Sequence, residues 1–370
     1  MKSDFGSVVV IGGCGFLGHH IVSQLLELES SVQVTVLDLR TTQNRFPSVS
    51  YYDADITDKA TVLSIFQEVR PRVIIHTASP VVASFEGSST LYYKVNVDGT
   101  RNLLECAGQV GRVKAFVYTS SASVIHDGVS DLVMADETYP VLGTPQQSEI
   151  YSHTKGIADE LVLASNKKYG GMLTVSIRPA GIFGEGDVQN LPNVLQVYYD
   201  GKTKFQLGDN KNRFDFTYVG NVANAHILAA QKLVETYDLS DPPPENKRVD
   251  GEAFLITNDD PYNFWTYART AWAAAGDKTD PKDVWVIPKS VGLMMATTLE
   301  WVFWLLFWGR KQPGTTRQKV KFSCMTRTYS IDKAKSRLGY KPLWGMKEGI
   351  IRGVEWFEKQ RAKGQGDKES

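Results

Sequence analysis

The stretch that decides the fold is VVVIGGCGFLGHHIV, at residues 8–22. Its apolar, β-branched start predicts a buried strand, and the apolar positions after the glycines predict a helix. Between them, Gly12, Gly15 and Gly18 have the spacing G-x-x-G-x-x-G. Gly12 permits a tight turn, Gly15 lets the backbone approach a pyrophosphate, and Gly18 lets the helix pack against the strand. Because the N–H groups at a helix N-terminus favour a phosphate, this stretch predicts a dinucleotide site.

Apolar runs of strand length alternate with helical patterns through the first half of the chain. This alternation predicts a parallel sheet covered by helices on both faces, which is the doubly wound α/β Rossmann fold. The predicted strands cover residues 7–11, 32–37, 50–54, 73–76, 115–119 and 173–178. The predicted helices cover residues 17–28, 59–69, 91–110 and 151–168.

The pattern loosens after residue 182 into aromatic and glycine-rich segments mixed with short helices. We expect residues 1–182 to form the dinucleotide-binding core with the catalytic residues. Residues 183–360 are expected to form a smaller C-terminal substrate lobe on the carboxyl edge of the sheet, where ligands of open α/β sheets bind. Residues 361–370 are expected to form a polar tail.

Composition restricts the possible partners and the compartment. The chain has 370 residues with 41 basic and 41 acidic side chains, so it lacks the electrostatic footprint of a nucleic-acid-binding protein. Cys14, Cys106 and Cys324 have the spacing of neither a disulfide framework nor a metal site. The N-terminal residues have the pattern of a strand rather than of a signal peptide. These features favour a catalytic body in a reducing compartment that faces the cytosol.

Acidic residues at two predicted strand ends are candidates for cofactor recognition. Asp38 stands 20 residues after Gly18, where a carboxylate accepts hydrogen bonds from the adenosine ribose and favours NAD over NADP. Arg40 could accommodate the 2′-phosphate of NADP, so both cofactors stay open. Asp55 and Ile56 follow the third strand and are expected to flank the adenine. The alternative role of Asp55 is to cap a nearby helix.

Tyr151 and Lys155 stand four residues apart at the start of a predicted helix and therefore share one face. Ser121 ends the motif YTSS, 30 residues before Tyr151. This set suits the oxidation of a secondary alcohol, in which a base takes the hydroxyl proton while hydride leaves for a nicotinamide. A phenol with a pKa of about 10 is a weak base near neutrality, but a nearby ammonium favours the phenolate. The alternative is a surface tyrosine with a solvated lysine; His126 and His153 are predicted bystanders.

Together these motifs resemble the extended short-chain dehydrogenase/reductase family over most of the chain. Within that family the chain resembles the 3β-hydroxysteroid dehydrogenase branch, to which its segments 214–229 and 251–265 are most similar. One departure is that Ser79 stands where an alanine is more common, and we expect it to fit beside the cofactor. The resemblance rests on the glycine motif, Asp38, HTASP (76–80), NVDGTRNLL (96–104), YTSS (118–121), YSHTK (151–155) and RPAGIFG (178–184).

The resemblance implies catalytic roles for Ser121, Tyr151 and Lys155, and it implies no metal. It also implies that Asn96 lies on a helix near the cofactor, and that the segment with Pro179 and Ile182 runs past the nicotinamide. The implied cofactor-binding residues are Gly12, Gly15, Phe16, Leu17, Gly18, Asp38, Asp55, Ile56, Ala78, Asn96, Tyr151, Lys155, Pro179 and Ile182.

The segment LEWVFWLLFWGR at 299–310 resembles the decarboxylating sterol-4α-carboxylate 3-dehydrogenases of fungal ergosterol biosynthesis. This resemblance implies that the 3β-hydroxyl of a 4α-carboxysterol is oxidised to a ketone. The resulting β-keto acid loses CO₂ because its electrons flow into the ketone as an enolate. Other sterol C4-demethylation enzymes and a second copy of the chain are possible partners. The alternatives are another steroid or secondary-metabolite dehydrogenase, a sugar-nucleotide epimerase, or a cofactor-binding regulator that has lost catalysis.

Residues 291–308 form an apolar run at the lower end of transmembrane length, interrupted by the charge of Glu300. Lys289 precedes the run, and Arg310 and Lys311 follow it. We expect this helix to contact membrane lipid and to seat the protein on the endoplasmic reticulum, with its catalytic domain facing the cytosol. Glu300 favours a shallow seat over a full crossing. A buried helix of the substrate lobe is the alternative.

Overall fold

A seven-stranded parallel sheet forms the centre of the molecule. The computed structural model describes residues 5–28, 32–80, 89–308 and 310–369, with side chains as far as residue 363. The sheet contains β1 (Ser7–Ile11), β2 (Gln33–Asp38), β3 (Ser50–Asp53), β4 (Val73–His76), β5 (Ala115–Thr119), β7 (Leu173–Pro179) and β12 (Glu252–Ile256). Its order is β12-β7-β5-β4-β1-β2-β3, which confirms the doubly wound α/β fold. The six strands predicted from the sequence have observed ends within one residue of the predicted ends.

Helices cover both faces of this sheet. Val8 and Val10 of β1 belong to one buried cluster and Val9 and Ile11 to the other, as the two-residue period of a strand requires. The first cluster includes α1 (Phe16–Leu28) and α7 (Val219–Tyr237), and the second includes α2 (Lys59–Val69), α4 (Thr100–Val110) and α5 (Ile150–Ala164). The predicted helix over 91–110 is instead α3 (Ser89–Tyr92), a π-helix (Tyr93–Gly99) and α4.

The dinucleotide core is discontinuous in the sequence, so the expected boundary at residue 182 needs correction. β12 pairs with the outer edge of β7, from Glu252 opposite Val175 to Ile256 opposite Pro179. α7 also returns from beyond the boundary to pack on β5 and β7. All seven residues of β7 are buried. A strand buried in this way needs a partner on each edge to satisfy its backbone, and β12 supplies the second partner.

The C-terminal lobe, which the sequence predicts to bind the substrate, is built from short strands and helices. Its four-stranded sheet joins distant segments in the order β13-β10-β15-β6. Its strands are β6 (Leu132–Ala135), β8 (Gly181–Phe183), β9 (Phe205–Leu207), β10 (Arg213–Phe214), β11 (Phe216–Tyr218), β13 (Tyr262–Asn263), β14 (Trp285–Ile287) and β15 (Arg327–Tyr329). Its helices are α6 (Asn190–Tyr199), α8 (Phe264–Ala274), α9 (Lys289–Phe307), α10 (Arg317–Cys324) and α11 (Met346–Glu369). The polar segment 361–369 continues α11 instead of forming a separate tail, and Ser370 lies outside the described residues.

The long apolar helix α9 lies on the surface of the lobe. It is long and apolar enough to cross a membrane. Only 11% of its apolar stretch is buried within the protein, so the alternative of a buried helix in the lobe is wrong. The chain then turns into α10, and Glu300 of α9 accepts hydrogen bonds from the backbone N–H and the guanidinium of Arg317 at 2.7 and 2.5 Å. We call α9, the turn and α10 (residues 289–324) the apolar hairpin.

Both ends of the apolar hairpin return to the same folded body. Before it, β14 pairs with β9; after it, β15 pairs with β10 and β6. Gly292 at the start of α9 packs so closely that a Cβ there would lie 2.8 Å from the Leu207 side chain. A helix that crossed a bilayer would place these two ends on opposite sides. The fold therefore suits a helix that lies in the plane of a surface.

Candidate active site

The glycine motif forms the close-packed turn that the sequence predicts. Gly12 has a φ of +80°, and a Cβ on it would lie 2.8 Å from the backbone nitrogen of Ala78. A Cβ on Gly18 would lie 2.1 Å from the carbonyl oxygen of Gly12. A Cβ on Gly15 would meet only that same oxygen, at 3.2 Å. The turn therefore leaves open space at Gly15, beside Phe16 and Leu17 in the first turn of α1, where a phosphate would be held.

Asp38 closes β2 beside this turn. Its carboxylate accepts a hydrogen bond from the backbone N–H of Cys14 at 3.0 Å, which ties the glycine turn to the neighbouring strand. Partial burial raises the pKa of Asp38, and hydrogen bonds from backbone N–H groups act in the opposite direction. Gly13, which the motif spacing does not include, is also sterically required, because a Cβ there would lie 2.5 Å from the Val36 side chain. The open turn and the carboxylate together fit an adenosine dinucleotide.

The segment after β3 lies at the same edge of the sheet. The Asp55 carboxylate accepts the N–H of Thr57 at 2.8 Å within its own turn. The cap of α2 is Asp58, whose side chain accepts from the N–H groups of the first turn, so the alternative N-cap role of Asp55 is wrong. Ile56 is buried against Gly99, and its place beside an adenine stays a prediction.

Asn96 connects the segment after β4 with α5, the helix that contains Tyr151 and Lys155. It is buried in the π-helix, and its side-chain oxygen accepts a hydrogen bond from the Ser79 hydroxyl at 3.0 Å. Its amide donates to the hydroxyl of Thr154 in α5, also at 3.0 Å. Asn96 thus fixes the segment that contains Ala78 relative to α5. Ser79, which departs from the family pattern, supplies one of these bonds.

Ser121 and Tyr151 meet at the carboxyl end of β5. Ser121 caps a short 3₁₀ turn after the strand, and its hydroxyl shares a hydrogen bond with the Ser123 hydroxyl at 2.8 Å. It also lies close enough to the Tyr151 hydroxyl to lower the pKa of that phenol. The Tyr151 side chain as a whole is partly accessible to solvent. Burial of its hydroxyl nevertheless raises the pKa of the phenol to about 12, while Ser121 acts in the opposite direction. A further positive charge is therefore needed before this phenol becomes a base near neutral pH.

Lys155 lies one turn further along α5 and is almost completely buried. Its ammonium donates to the carbonyl oxygen of Thr119 and lies 4.5 Å from the centre of the Tyr118 ring. Burial lowers the pKa of Lys155 to about 7, and Asp159 one turn later acts in the opposite direction. Asp159 in turn accepts from the guanidinium of the buried Arg178 at 2.5 and 3.2 Å. This ionic pair behind the lysine was missed by the sequence reasoning, although Asp159 continues the four-residue spacing of Tyr151 and Lys155.

Pro179 and Ile182 lie where β7 ends and β8 begins, next to the same edge of the sheet. Pro179 is opposite Ile256 of β12, and Ile182 pairs with Thr217 of β11. Their contact with a nicotinamide stays a prediction. His126 is held in its own loop, where its ring nitrogens pair with the Ser130 carbonyl and the Gly128 N–H.

The apolar hairpin contacts the residue that precedes α5, the helix that contains Tyr151 and Lys155. Gln318 of α10 donates to the carboxylate of Glu149 at 2.8 Å. Glu149 is the residue immediately before α5, two positions ahead of Tyr151, and the Ser152 hydroxyl donates to its other carboxylate oxygen at 3.5 Å. No local pattern predicts this contact, because its partners are 169 residues apart in the sequence.

The sequence profile of the 3-beta hydroxysteroid dehydrogenase/isomerase family matches residues 9–289. The chain belongs to this family. It is 39% identical over 364 residues to the decarboxylating sterol-4-alpha-carboxylate 3-dehydrogenase of Saccharomyces cerevisiae, covering 96% of this chain and 99% of the relative. The enzyme of the same name from Candida albicans is 40% identical over 367 residues, with the same two coverages. The family predicted from the motifs is confirmed.

Solved structures agree on the fold. The UDP-glucose 4-epimerase of Thermus thermophilus, in complex with NAD, aligns with a TM-score of 0.67 at 25% identity and covers 95% of this chain and 99% of its own. The dTDP-glucose 4,6-dehydratase of Bacillus anthracis, in complex with NAD, has a TM-score of 0.68 at 19% identity and covers 96% and 97%.

Proposed function

We propose that this chain is an NAD-dependent sterol-4α-carboxylate 3-dehydrogenase (decarboxylating) of sterol biosynthesis. It oxidises the 3β-hydroxyl of a 4α-carboxysterol to a ketone, and the carboxylate leaves as CO₂. The observation that carries this proposal is the meeting of Ser121, Tyr151 and buried Lys155 beside the glycine turn, in a chain that matches the fungal enzymes of this name from end to end.

The side chains divide the reaction between them. The glycine turn and Asp38 hold the dinucleotide, which supplies the hydride acceptor and a positive charge when it is bound. The phenol oxygen of Tyr151 takes the proton of the 3β-hydroxyl, and Ser121 holds the substrate oxygen in place. In its protonated form, Lys155 places a positive charge near the phenol, which favours the ionised form of Tyr151. After oxidation, Ser121 and Tyr151 hold the enolate oxygen that forms as CO₂ leaves.

We assign NAD as the preferred cofactor because the half-buried carboxylate of Asp38 would repel a 2′-phosphate. Arg40 is the residue that would hold this phosphate if NADP were used instead.

The apolar hairpin is proposed to seat the enzyme in the plane of the endoplasmic reticulum membrane, with the active site on the cytosolic side. Trp301, Trp304, Leu305 and Leu306 are all exposed, and neighbouring strands add exposed Phe205, Trp285 and Val286. Each such side chain gains about 1.5–3 kcal/mol when fully buried in lipid. The ion pair with Arg317 partly neutralises Glu300 and so lowers the cost of bringing this charge close to lipid. Contacts with a second copy of the chain or with other sterol C4-demethylation enzymes stay predictions.

One assay tests the proposed reaction. The purified full-length chain is incubated with a 4α-carboxysterol and NAD⁺, and NADH and CO₂ are measured together. Equal amounts of both are expected from the wild type and neither from Tyr151→Phe. NADH without CO₂ would contradict decarboxylation and indicate a dehydrogenase for another hydroxysteroid.

A second experiment tests the membrane seat. Replacing Trp301, Trp304, Leu305 and Leu306 with serine should release the protein from membranes, whereas wild-type binding should survive a high-salt wash because apolar burial is not screened. The matched control replaces Leu239 and Leu343, which are exposed but outside the hairpin, with serine. It should leave membrane binding unchanged. If the four-serine variant folds and still binds membranes, the hairpin is not the anchor.

A further inference from the structure

The apolar hairpin and the residue after it carry a strong excess of positive charge. Residues 289–325 contain six lysine and arginine residues and one acidic residue, although the whole chain is balanced at 41 of each sign. The single acidic residue, Glu300, is paired with Arg317. Among the residues that the structure describes, no acidic side chain forms an ion pair with Lys289, Arg310, Lys311, Lys319 or Lys321.

Three of these cations lie close to the turn of the hairpin. The Lys311 ammonium lies 5.1 Å from the centre of the Phe307 ring, and Arg310 is bonded through its backbone N–H to the Phe307 carbonyl. Lys319 reaches back from α10 and donates to the carbonyl oxygen of Gly314 in the turn. Trp308, 83% exposed, lies beside them. Aromatic and cationic side chains are thus presented together at one end of the exposed helix.

This end of the hairpin also forms a depression that is open to solvent and is lined by both apolar and cationic side chains. Its volume is about 480 Å³, and it is lined by Leu306, Phe307, Trp308, Arg310 and Lys311. An apolar wall next to two cations matches a molecule with a hydrocarbon part and an anionic group. Phospholipids with a net negative headgroup have this chemistry, and a bilayer presents many of them side by side.

We propose that the cationic turn of the hairpin recognises anionic phospholipids, so that the enzyme prefers bilayers with a negative surface. This inference rests on the proposed membrane seat and adds the lipid class to it. Apolar burial of α9 acts on any bilayer, whereas Arg310, Lys311 and Lys319 add attraction only where the surface is anionic. Lys202 and Lys282, which precede the exposed residues of β9 and β14, contribute less because each lies within 4 Å of an aspartate.

The test is cosedimentation of the full-length chain with vesicles of phosphatidylcholine alone or of phosphatidylcholine with phosphatidylserine. The wild type is expected to bind both and to prefer the anionic vesicles. Replacing Arg310, Lys311 and Lys319 with glutamine should weaken binding to the anionic vesicles roughly a hundredfold and leave binding to the neutral vesicles unchanged. High salt should reduce wild-type binding to the level of the variant.

The matched control replaces Lys202, Lys211 and Lys282 with glutamine, which removes the same net charge at lysines that lie beside aspartates. It should retain the preference for anionic vesicles. Equal wild-type binding to both vesicle types would overturn the lipid preference and leave the membrane seat standing. Binding to neither, with a stable dimer in solution, would show that a second copy covers the hairpin and would overturn both proposals. Turnover of a detergent-dispersed substrate should be unaffected by either triple variant.

Discussion

Replacement of Lys155 with methionine is expected to stabilise the folded protein near neutral pH while it abolishes turnover. Lys155 is 2% exposed, and burial lowers its pKa from 10.5 to about 7. Since one pKa unit corresponds to about 1.4 kcal/mol, holding this ammonium inside the protein costs about 4–5 kcal/mol. Methionine fills a similar linear space without a charge. It leaves the Thr119 carbonyl without its ammonium donor, which costs about 1–2 kcal/mol. The net gain is about 2–4 kcal/mol.

The gain should depend on pH in a defined direction. The folded pKa of Lys155 lies below its unfolded value, so between about pH 7 and pH 10.5 the unfolded chain binds more protons than the folded one. The free energy of unfolding of the wild type therefore rises with pH across this interval. The cost of the buried charge is fully present below about pH 7 and has disappeared at about pH 10.5. The advantage of Lys155→Met should disappear over the same interval.

Denaturant unfolding of both proteins at about pH 7 and about pH 10 measures this difference. Lys168→Met, in which an exposed lysine is replaced, controls for the substitution itself and should show no comparable change with pH. A variant less stable than the wild type at about pH 7 would refute the reasoning, as would an advantage of equal size at both pH values. Either result would mean that Lys155 is held in the protein at little electrostatic cost.

Three further substitutions test the site. Tyr151→Phe should lower kcat by about 10²–10⁴-fold and leave NAD⁺ affinity unchanged, because only the proton acceptor is lost; activity above about a tenth of wild type would contradict its role. Asp38→Ala should lower the ratio of kcat/KM for NAD⁺ to kcat/KM for NADP⁺. A wild type that prefers NADP⁺ would contradict this role of Asp38 and indicate that Arg40 determines the cofactor preference. Gln318→Glu places a second carboxylate against Glu149 at the start of α5. It should lower kcat severalfold without changing NAD⁺ affinity, while Gln318→Asn has a smaller effect; an unchanged kcat in Gln318→Glu would show that the hairpin contact is irrelevant to Tyr151.

The local elements of the core could be predicted because periodicity is a local property. β1, β4 and β5 have the predicted bounds, since each is a short apolar run ended by a change of pattern. The π-helix at Tyr93–Gly99 could not be predicted, because a segment of seven residues is too short for its period to be distinguished from that of an α-helix. The pairing of β12 with β7 was equally hidden, because sheet partners far apart in sequence share no local pattern.

In the candidate site, too, residues in local motifs could be predicted, whereas contacts between distant segments could not. Gly12, Gly18 and Asp38 were predicted from motifs whose spacing has a steric or hydrogen-bonding cause. The structure places the two glycines in one turn and bonds the Asp38 carboxylate to that turn. The contacts that position these groups come from distant segments, as between Asn96 and Thr154. Their residue types are common at many positions, so the sequence alone did not distinguish them. The sequence also predicted a charged lysine but not the burial that lowers its pKa.

The late arrival of β12 has a consequence for the synthesis of the protein. Until residue 256 has left the ribosome, the buried strand β7 has one edge that no strand of its own sheet can cover. An apolar strand with an open edge is a template for pairing with other chains. A fragment that ends at residue 182 should therefore aggregate instead of folding as a separate nucleotide-binding domain. Nascent chains that stall between β7 and β12 would be the ones most in need of a chaperone.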